Sequence, residues 1–471
     1  MQISCEGMEI IMAEIIIDPI TRISGYLEIR ATVEENMVIT AESRGLLYRG
    51  FDKMLRGRYP LDAIFFTERI CGICSAAHAY ASTLALDDAL KTPPTLNDRY
   101  LRDIIHGFEF IQNHLRHFYL MMLPSFAKIT KPMVANVTQY NEYRLPEEVN
   151  KRMEEHYEAA IEFSKLAHEG QAVIGGKAPH HHGIFVGGVT CDLTAFKMDK
   201  MKTIIGRLME FISSTMIEDT QTIAQYYPDY YQMGFSYPHF LSYGVFDYDD
   251  PEISYVAPGT MINGVREALN PGLINEQVQY AWFMNDAPDE PDMNKPGAYT
   301  FIKAPRYNNL AMEVGPLARM LISGNYSGGN SCMDRIVART LETNKIIHIM
   351  NELMKRIELL PNNQRAVMMP DEAIGMGLID TTRGSLGHWV SIKNKVIDRY
   401  ETITPSNWNL SPKDVNGLPG AIEQALIGTY IANVDSPVEI GRIARSFDPC
   451  VSCATHLILP NKEIRTVEVP V

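Results

Sequence analysis

The sequence predicts an α+β protein with a mainly helical core bundle, an N-terminal β hairpin or sheet and smaller β excursions. After about residue 95, apolar residues recur at three- and four-residue steps, which is typical of amphipathic helices. The N-terminal part instead alternates apolar and polar residues, as strands do. Because no internal repeat, low-complexity tract or Gly/Ser linker divides the chain, residues 1–471 are predicted to form a single domain.

The predicted elements follow in chain order. Segments 26–34 and 37–43 flank Glu35 and Asn36, a plausible hairpin turn. The stretch "NDAPDEPDMNKPGAY" at 285–299 is rich in Pro, Asp and Asn and is predicted to be a surface loop. The predicted long helices are a first from about residue 95 to Pro124, and others at about 147–170, 197–225 and 332–358.

Composition excludes several classes of protein. A formal net charge of -14 argues against nucleic-acid binding, which needs a basic surface. The longest apolar runs, such as "YLMMLPSFA" at 119–127, are shorter than the roughly 20 residues of a membrane span. The N-terminus lacks the basic region of a signal peptide. We therefore expect a cytoplasmic location, with membrane association or export through a partner subunit as the alternative.

Two cysteine motifs lie near opposite ends of the chain, "RICGICSAAH" at 69–78 and "DPCVSCATH" at 448–456. Each has two cysteines three residues apart, followed by a histidine. Cys5, Cys191 and Cys332 occur singly, so the seven cysteines do not suggest a disulfide framework. Two such pairs supply four thiolates to one metal site. Spacing alone leaves open a structural zinc, an iron-sulfur cluster, a redox dithiol pair and a catalytic metal centre.

Five further motifs surround the cysteines in the sequence. They are "DPITRISGYLEI" at 18–29, "RGLLYRGFD" at 44–52, "IKAPRYNNLAMEVGPLARM" at 302–320, "RGSLGHW" at 383–389 and "PSNWNLSPKD" at 405–414. Together with the cysteine motifs, in this order, they resemble the large subunit of nickel-iron hydrogenases. The resemblance runs from Asp18 to the C-terminus and displaces the zinc interpretation.

The resemblance implies a metal centre and an activity. Cys71, Cys74, Cys450 and Cys453 would hold nickel, and Cys74 and Cys453 would also bridge to an iron that carries one carbon monoxide and two cyanides. The implied reaction is the reversible cleavage of H2 into protons and electrons. A hydrogen-sensing or non-catalytic relative with the same fold is the alternative.

The resemblance also assigns roles to residues around the metals. These are Arg383 as a guanidinium above the metals, Ser406 as a donor to a cyanide, Pro405 and Leu386 as lining of the diatomic pocket, His78 as a neighbour of a bridging sulfur, and Asp448 as an acid beside the metals.

The end of the chain is implied to hold magnesium and to be processed. Asp52, the carbonyl of Thr402 and His456 would bind the magnesium, although the family usually has glutamate where Asp52 stands. A maturation protease would cut between His456 and Leu457 and remove 457–471 as a propeptide.

Three departures from the family affect proton transfer. Ser24 stands where the family has a proton-relaying glutamate, Asn113 where an aspartate is common, and Thr382 where a proline precedes the arginine. A serine cannot hold a proton at neutral pH. Either an acid such as Glu28 or Glu68 replaces the relay, or a water chain reaches Ser24.

Electrons must leave through another chain, because the sequence has no further cysteine cluster and no Gly-rich nucleotide loop. The resemblance implies an iron-sulfur small subunit as the partner, which would carry the iron-sulfur clusters, and possible further electron-acceptor subunits. Separately, Glu313 and Arg319 are predicted to form a buried structural ion pair.

Overall fold

The computed structural model describes residues 12–130, 132, 142–361 and 366–454 of the protein. None of the helices in these ranges is long and apolar enough to cross a membrane. The α-helices are α1 (Phe51–Leu55), α2 (Asp62–Thr67), α3 (Ser75–Leu90), α4 (Leu96–Leu115), α5 (Glu147–Gly175), α6 (Ala195–Phe211), α7 (Ile217–Tyr226), α8 (Pro316–Ile322), α9 (Cys332–Arg356), α10 (Pro405–Asn409), α11 (Ala421–Leu426), α12 (Val438–Ser446) and α13 (Val451–Ala454).

The strands form small antiparallel sheets, in the orders β1-β2-β3, β4-β5, β6-β7-β8, β10-β9 and β11-β12-β13. They are β1 (Met12–Ile17), β2 (Leu27–Glu34), β3 (Met37–Gly45), β4 (Ile184–Phe185), β5 (Gly188–Val189), β6 (His239–Ser242), β7 (Gly259–Ile262), β8 (Val265–Ala268), β9 (Ile274–Gln277), β10 (Ala304–Tyr307), β11 (Glu372–Thr381), β12 (Gly384–Lys393) and β13 (Val396–Ile403).

The predicted N-terminal hairpin is confirmed as β2 and β3. Glu35 and Asn36 link the strands with φ angles of 49° and 63°. Positive φ at both turn residues matches the right-handed twist of the flanking strands. β1 pairs along the other side of β2, so the hairpin is the major part of a three-stranded sheet.

The four predicted long helices are also present. α4 is capped at its N-terminus by Thr95, whose side chain accepts the Asp98 backbone N–H. The helix continues as π-helical turns over Arg116–Met122, just before Pro124. α5 covers the second predicted helix, α6 and α7 the third, and α9 the fourth. The apolar face of α4 is fully buried, and α4 packs against α5 and α9. These helices form the core of the described chain.

α3 packs against β11 and β12, and the cysteine loop directly precedes it in the chain. α3 is rich in alanine, and this allows close approach. A Cβ added at Gly377 on β11 would lie 2.1 Å from the Ala81 carbonyl oxygen, so only glycine fits there. The two-residue turn between β11 and β12 carries Thr382 and Arg383 and lies beside the N-terminus of α3.

The predicted ion pair between Glu313 and Arg319 is wrong. Glu313 accepts the Nε–H of Arg335 at 2.8 Å, whereas Arg319 donates through Nε to Glu342 at 2.6 Å. The observed partners, Arg335 and Glu342, both lie on α9, about two turns apart. Glu313 and Arg319 therefore each pair with a residue of this long helix and not with each other.

Candidate metal centre

The two cysteine motifs meet in the interior. Cys71 and Cys74 lie in the loop before α3, and Cys450 lies directly before α13. The sulfurs of Cys71 and Cys450 are 3.4 Å apart, and the three sulfurs all lie within 4.8 Å of one another. Each cysteine is at most 6% exposed. The backbone of Cys453 belongs to α13, but its side chain lies outside the described residues, as do His456 and Leu457.

The backbone of Ser24 holds the Cys450 loop in place. Ser24 N–H donates to the Pro449 carbonyl at 3.1 Å, and Val451 N–H donates to the Ser24 carbonyl at 2.7 Å. The next residue, Gly25, has a φ of 91°, and a Cβ there would lie 2.6 Å from the Ser452 nitrogen. The close approach of "RISGY" to the cysteines therefore depends on glycine.

Arg49 joins the two cysteine loops. It donates to the Arg69 carbonyl at 3.1 Å and to the Ile70 carbonyl, both just before Cys71, and to the Ser452 carbonyl at 2.9 Å. Its motif, "RGLLYRGFD", was noticed in the sequence, but Arg49 was given no role. The sequence spacing between Arg49 and the cysteines does not indicate these contacts, because Arg49 bonds to backbone carbonyls and not to particular side chains.

Arg383 and Asp448 form the polar side of the site. Arg383 Nη2 donates to Asp448 Oδ1 at 3.0 Å, and Arg339 Nη1 donates to Asp448 Oδ2 at 3.3 Å. Burial alone would raise the pKa of Asp448, but the two guanidinium groups outweigh it and hold that pKa below its usual range. Burial likewise disfavours charged Arg383, yet Asp448 and the cysteines raise its pKa. Arg383 is therefore a permanent cation beside the sulfurs.

A small buried cavity lies between Arg383 and the cysteines. Ser406 Oγ accepts the Cys450 N–H at 3.1 Å, which leaves its hydroxyl proton for another acceptor. Most of the residues assigned by the resemblance line this cavity. The lining is Cys74, Ala77, His78, Thr381, Thr382, Arg383, Leu386, Pro405, Ser406 and Cys450.

His78 continues into a buried hydrogen-bonded chain. His78 Nδ1 lies 3.2 Å from His388 Nε2, and His388 Nδ1 lies 2.7 Å from the Tyr400 hydroxyl, which donates to Ser82 at 2.9 Å. Burial lowers the pKa of His78 to about 4, so the ring is neutral at pH 7. His388 lies in "RGSLGHW", but nothing in that motif indicates its contact with His78.

Asn113 takes part in the support of the cysteine loop. Its Nδ2 donates to the Ile73 carbonyl at 2.7 Å and to the Glu109 carbonyl at 3.0 Å, and its Oδ1 accepts from Arg383 at 3.1 Å. An aspartate could accept from Arg383 but could not donate the other two bonds.

Glu28, one of the two acids named as substitutes for the missing relay, is held in ion pairs with Arg30 and Arg44.

Glu109 is a buried acid that the sequence analysis did not name. A charged residue between Phe108 and Phe110 on an apolar helix face is a signal that could have found it.

The two described magnesium candidates share a second cavity, of about 360 Å³. Asp52 and Thr402 both line it, together with Glu276, Asp289 and Lys303. Lys303 Nζ is 3.2 Å from a Glu276 carboxylate oxygen, so the cavity lining carries positive as well as negative charge. Oxygen ligands of this kind suit a hard cation such as magnesium.

Comparison with known proteins decides the family. The nickel-dependent hydrogenase family matches residues 49–141, 131–330 and 325–456. The chain belongs to this family. The periplasmic [NiFeSe] hydrogenase large subunit of Desulfomicrobium baculatum is 32% identical, over 94% of this chain and 95% of the relative. The hydrogenase-2 large chain of Escherichia coli K12 is 28% identical, over 94% and 97%.

Solved hydrogenase structures confirm the predicted fold. The [NiFeSe] hydrogenase of Desulfovibrio vulgaris Hildenborough in the reduced state matches with a TM-score of 0.90 and 34% identity, over 94% of this chain and 100% of that chain. The resemblance to hydrogenase large subunits is thus confirmed, and so is an oxidoreductase that acts on H2. The selenium in these names belongs to the relatives, because this sequence has cysteine in all four positions of its two motifs.

The described side chains fit the nickel site that the family implies. Three buried thiol sulfurs converge within 4.8 Å, and thiolate is a soft ligand that suits nickel and low-spin iron. Arg383 supplies the positive charge that a cluster of thiolates needs in an apolar interior.

Proposed function

We propose that this chain is the catalytic subunit of a nickel-iron hydrogenase that cleaves H2 reversibly and heterolytically into protons and electrons. The observation that carries the proposal is the convergence of Cys71, Cys74 and Cys450 beneath the buried cation Arg383. A structural zinc site would need the sulfurs but would not need a buried guanidinium and a lined cavity beside them.

The ligands follow from the two motifs. Cys71, Cys74 and Cys450, together with Cys453 of the second motif, would hold nickel, and Cys74 and Cys453 would also be ligands of an iron with one carbon monoxide and two cyanides. When bound, this centre supplies the electron sink and the electrophile that polarises H2.

The protein residues hold charge and move protons. A cysteine thiolate is the nearest base for the proton released from H2, because the sulfurs lie in the interior away from bulk water. Arg383 stabilises the anionic form of the thiolates, and Asp448 fixes its orientation. Since the guanidinium donates four hydrogen bonds, to the Asp448 carbonyl and carboxylate, Asn113 and Thr382, it does not need to reorganise during the reaction.

The remaining lining residues shape the pocket. Ser406 would donate its hydroxyl proton to a cyanide of the bound centre, while Leu386 and Pro405 form an apolar wall that excludes water. His78, neutral and fixed by His388, contributes an N–H or a lone pair beside a bridging sulfur.

The magnesium and the propeptide belong to maturation. Asp52 and the Thr402 carbonyl bind magnesium with His456, after a maturation protease removes residues 457–471. The cavity beside Asp52 is large enough to receive a chain end. Closure there would bring the segment after Cys453 against the body of the protein.

The partners follow from the electron balance. Large subunits of hydrogenases generally act with small iron-sulfur subunits, and this chain needs such a subunit to remove electrons. Further electron-acceptor subunits complete the route, and no nucleic acid is involved. One relative is named as periplasmic, so export through a partner competes with the cytoplasmic location.

The test is H2-dependent dye reduction by the purified complex of this chain with its small subunit. A catalytic hydrogenase reduces the dye only under H2, in an amount that depends on bound nickel. A complex that binds nickel and responds to H2 without sustained dye reduction would instead indicate the hydrogen sensor. The replacement of two family carboxylates by Ser24 and Asn113 is the observation that favours this second candidate.

A further inference from the structure

Glu109 lies against the helix that follows Cys74. Its Oε2 accepts the Ala76 N–H at 2.8 Å and its Oε1 accepts the Ala77 N–H at 2.9 Å, both in the first turn of α3. The side chain is buried, and Glu109 is 3% exposed. It is linked to the polar side of the metal centre through Asn113, whose amide bonds both the Glu109 carbonyl and Arg383.

Glu68 is a second buried acid, in the short helical turn Glu68–Ile70 that precedes the cysteine loop. It precedes Cys71 by three residues and is 0% exposed. Its Oε2 accepts from Arg69 at 3.0 Å, while Oε1 has no hydrogen-bond partner. The Arg69 side chain is 48% exposed, so Glu68 lies one residue from solvent.

Unpartnered buried nitrogens lie around these acids. His181 Nδ1 is 3.9 Å from Glu68 Oε1, and His181 Nε2 has no partner. Both ring nitrogens of His106 on α4 are also buried without a partner. Buried polar atoms that lack a protein partner are generally satisfied by ordered water. These atoms therefore indicate bound water between α4, the cysteine loop and His181.

The carboxyl groups of Glu109 and Glu68 have similar, raised pKa values. Burial raises the pKa of Glu109 to about 8, and the negative charge of Glu68 adds to the rise although the Ala76 and Ala77 N–H groups oppose it. Burial raises the pKa of Glu68 to about 8 as well, against the charges of Arg69 and Lys177. Both carboxyls are therefore mostly protonated at pH 7, and each can release and rebind a proton near that pH.

We propose that Glu109 and Glu68 form a buried acid pair that carries protons, through ordered water, between the cysteine cluster and the surface at Arg69. In the direction of H2 oxidation, Glu68 releases its proton to bulk water, Glu109 passes its own proton to Glu68 through ordered water, and Glu109 then accepts the proton released at the cluster. The proton count of the pair is then restored, and no electron passes through it. The pair thus replaces the relay acid that is absent at Ser24, and this role rests on the proposed function.

The first measurement is infrared spectroscopy of the full chain prepared without nickel. A difference spectrum between wild type and Glu109→Gln at pH 7 is expected to contain a protonated-carboxyl band that shifts in D2O. A merely structural capping carboxylate, ionised at pH 7, would give no such band. Absence of the band would overturn the protonated state of Glu109 on which the relay depends.

The second measurement is turnover by the nickel-loaded complex. Glu109→Gln and Glu68→Gln are each expected to slow dye reduction and H2/D2O exchange by roughly 10²-fold or more, with nickel content unchanged. Glu423→Gln is the matched control. Glu423 is another buried acid with a raised pKa, about 7, that accepts a backbone N–H at a helix start, α11, and its loss should leave turnover unchanged.

The outcomes separate this proposal from the proposed function. Full turnover in nickel-loaded Glu109→Gln would overturn the relay and leave the cysteine assignment standing. If Glu109→Gln fails to bind nickel, Glu68→Gln decides, because it leaves the bonds at the start of α3 in place. A wild-type complex without H2-dependent turnover would refute the proposed function, while the infrared band would still test whether Glu109 is protonated at pH 7.

Discussion

Arg383 donates two hydrogen bonds to Asp448, from Nε to the backbone carbonyl at 3.0 Å and from Nη2 to the carboxylate at 3.0 Å. Asp448 has a φ of 54° and lies two residues before Cys450. These two bonds connect the β11-β12 turn to the loop of the second cysteine motif. The Arg383 side chain therefore both supplies the positive charge beside the sulfurs and helps to position Cys450.

Arg383→Lys is therefore expected to keep a positive charge but lose turnover. A lysine cannot bond the Asp448 carbonyl, its carboxylate and Asn113 at once. We expect H2-dependent dye reduction to fall by about 10²-fold or more, with nickel still bound. Arg335→Lys is the matched control, because Arg335 is also a buried bidentate arginine, paired with Glu313. It should lower the melting temperature and leave turnover per nickel unchanged. An equal loss of turnover in both variants would contradict the role of Arg383.

Gly25→Ala is expected to separate the N-terminal motif from the second cysteine motif. Its Cβ would lie 2.6 Å from the Ser452 nitrogen, and the residue needs a φ of 91°. Gly57→Ala is the control, since Gly57 also has a positive φ, 78°, but open space around the added Cβ. We expect Gly57→Ala to cost about 1 kcal/mol of unfolding free energy and retain nickel. Gly25→Ala should cost more and lose nickel. Equal nickel contents would show that the contact does not hold the site.

Stability should pass through a maximum at mildly acidic pH, between 4.5 and 6.5. Burial lowers the pKa of His106 to about 3 from an ordinary 6.5, so its contribution is present above pH 6.5 and is lost as pH falls towards 3. Burial raises the pKa of Glu423 to about 7 from 4.5, so its contribution is complete below pH 4.5 and is lost as pH rises through 7. Melting temperatures across this range should show both losses. Glu423→Gln should reduce the alkaline one, and an unchanged alkaline slope would contradict this account.

The end of the mature chain is a separate prediction. If processing follows the resemblance, mass spectrometry of active protein should find a chain that ends at His456. The cut would free the segment after Cys453 to close over the magnesium site. Active, nickel-loaded protein that still carries residues 457–471 would refute the processing step and leave the metal assignment intact.

The sequence predicted the long helices and the hairpin because each has a local cause. The apolar repeat of α4 and the turn at Glu35-Asn36 are visible in single segments. The pairing of Glu313 could not be predicted, because two arginines, Arg319 and Arg335, lie within reach and only tertiary packing on α9 chooses between them.

The residues of the candidate site also divide into those that sequence motifs predicted and those that only the structure shows. The motifs identified the cysteines, Arg383 and Ser406, since these residue types occur in a recognisable order. Arg49 and Glu109 act through backbone groups of other segments, so neither leaves a spacing pattern in the sequence. The contact between His388 and His78 could not be predicted, because it arises only from the packing of β12 against α3.

The central claim is that the four cysteines hold nickel and iron for H2 cleavage, and metal analysis of the purified complex tests it most directly. We predict stoichiometric nickel and iron in the wild type, and a folded Cys450→Ala variant without nickel, because the large core supplies most of the stability. Stoichiometric zinc with no nickel in the wild type would contradict the claim.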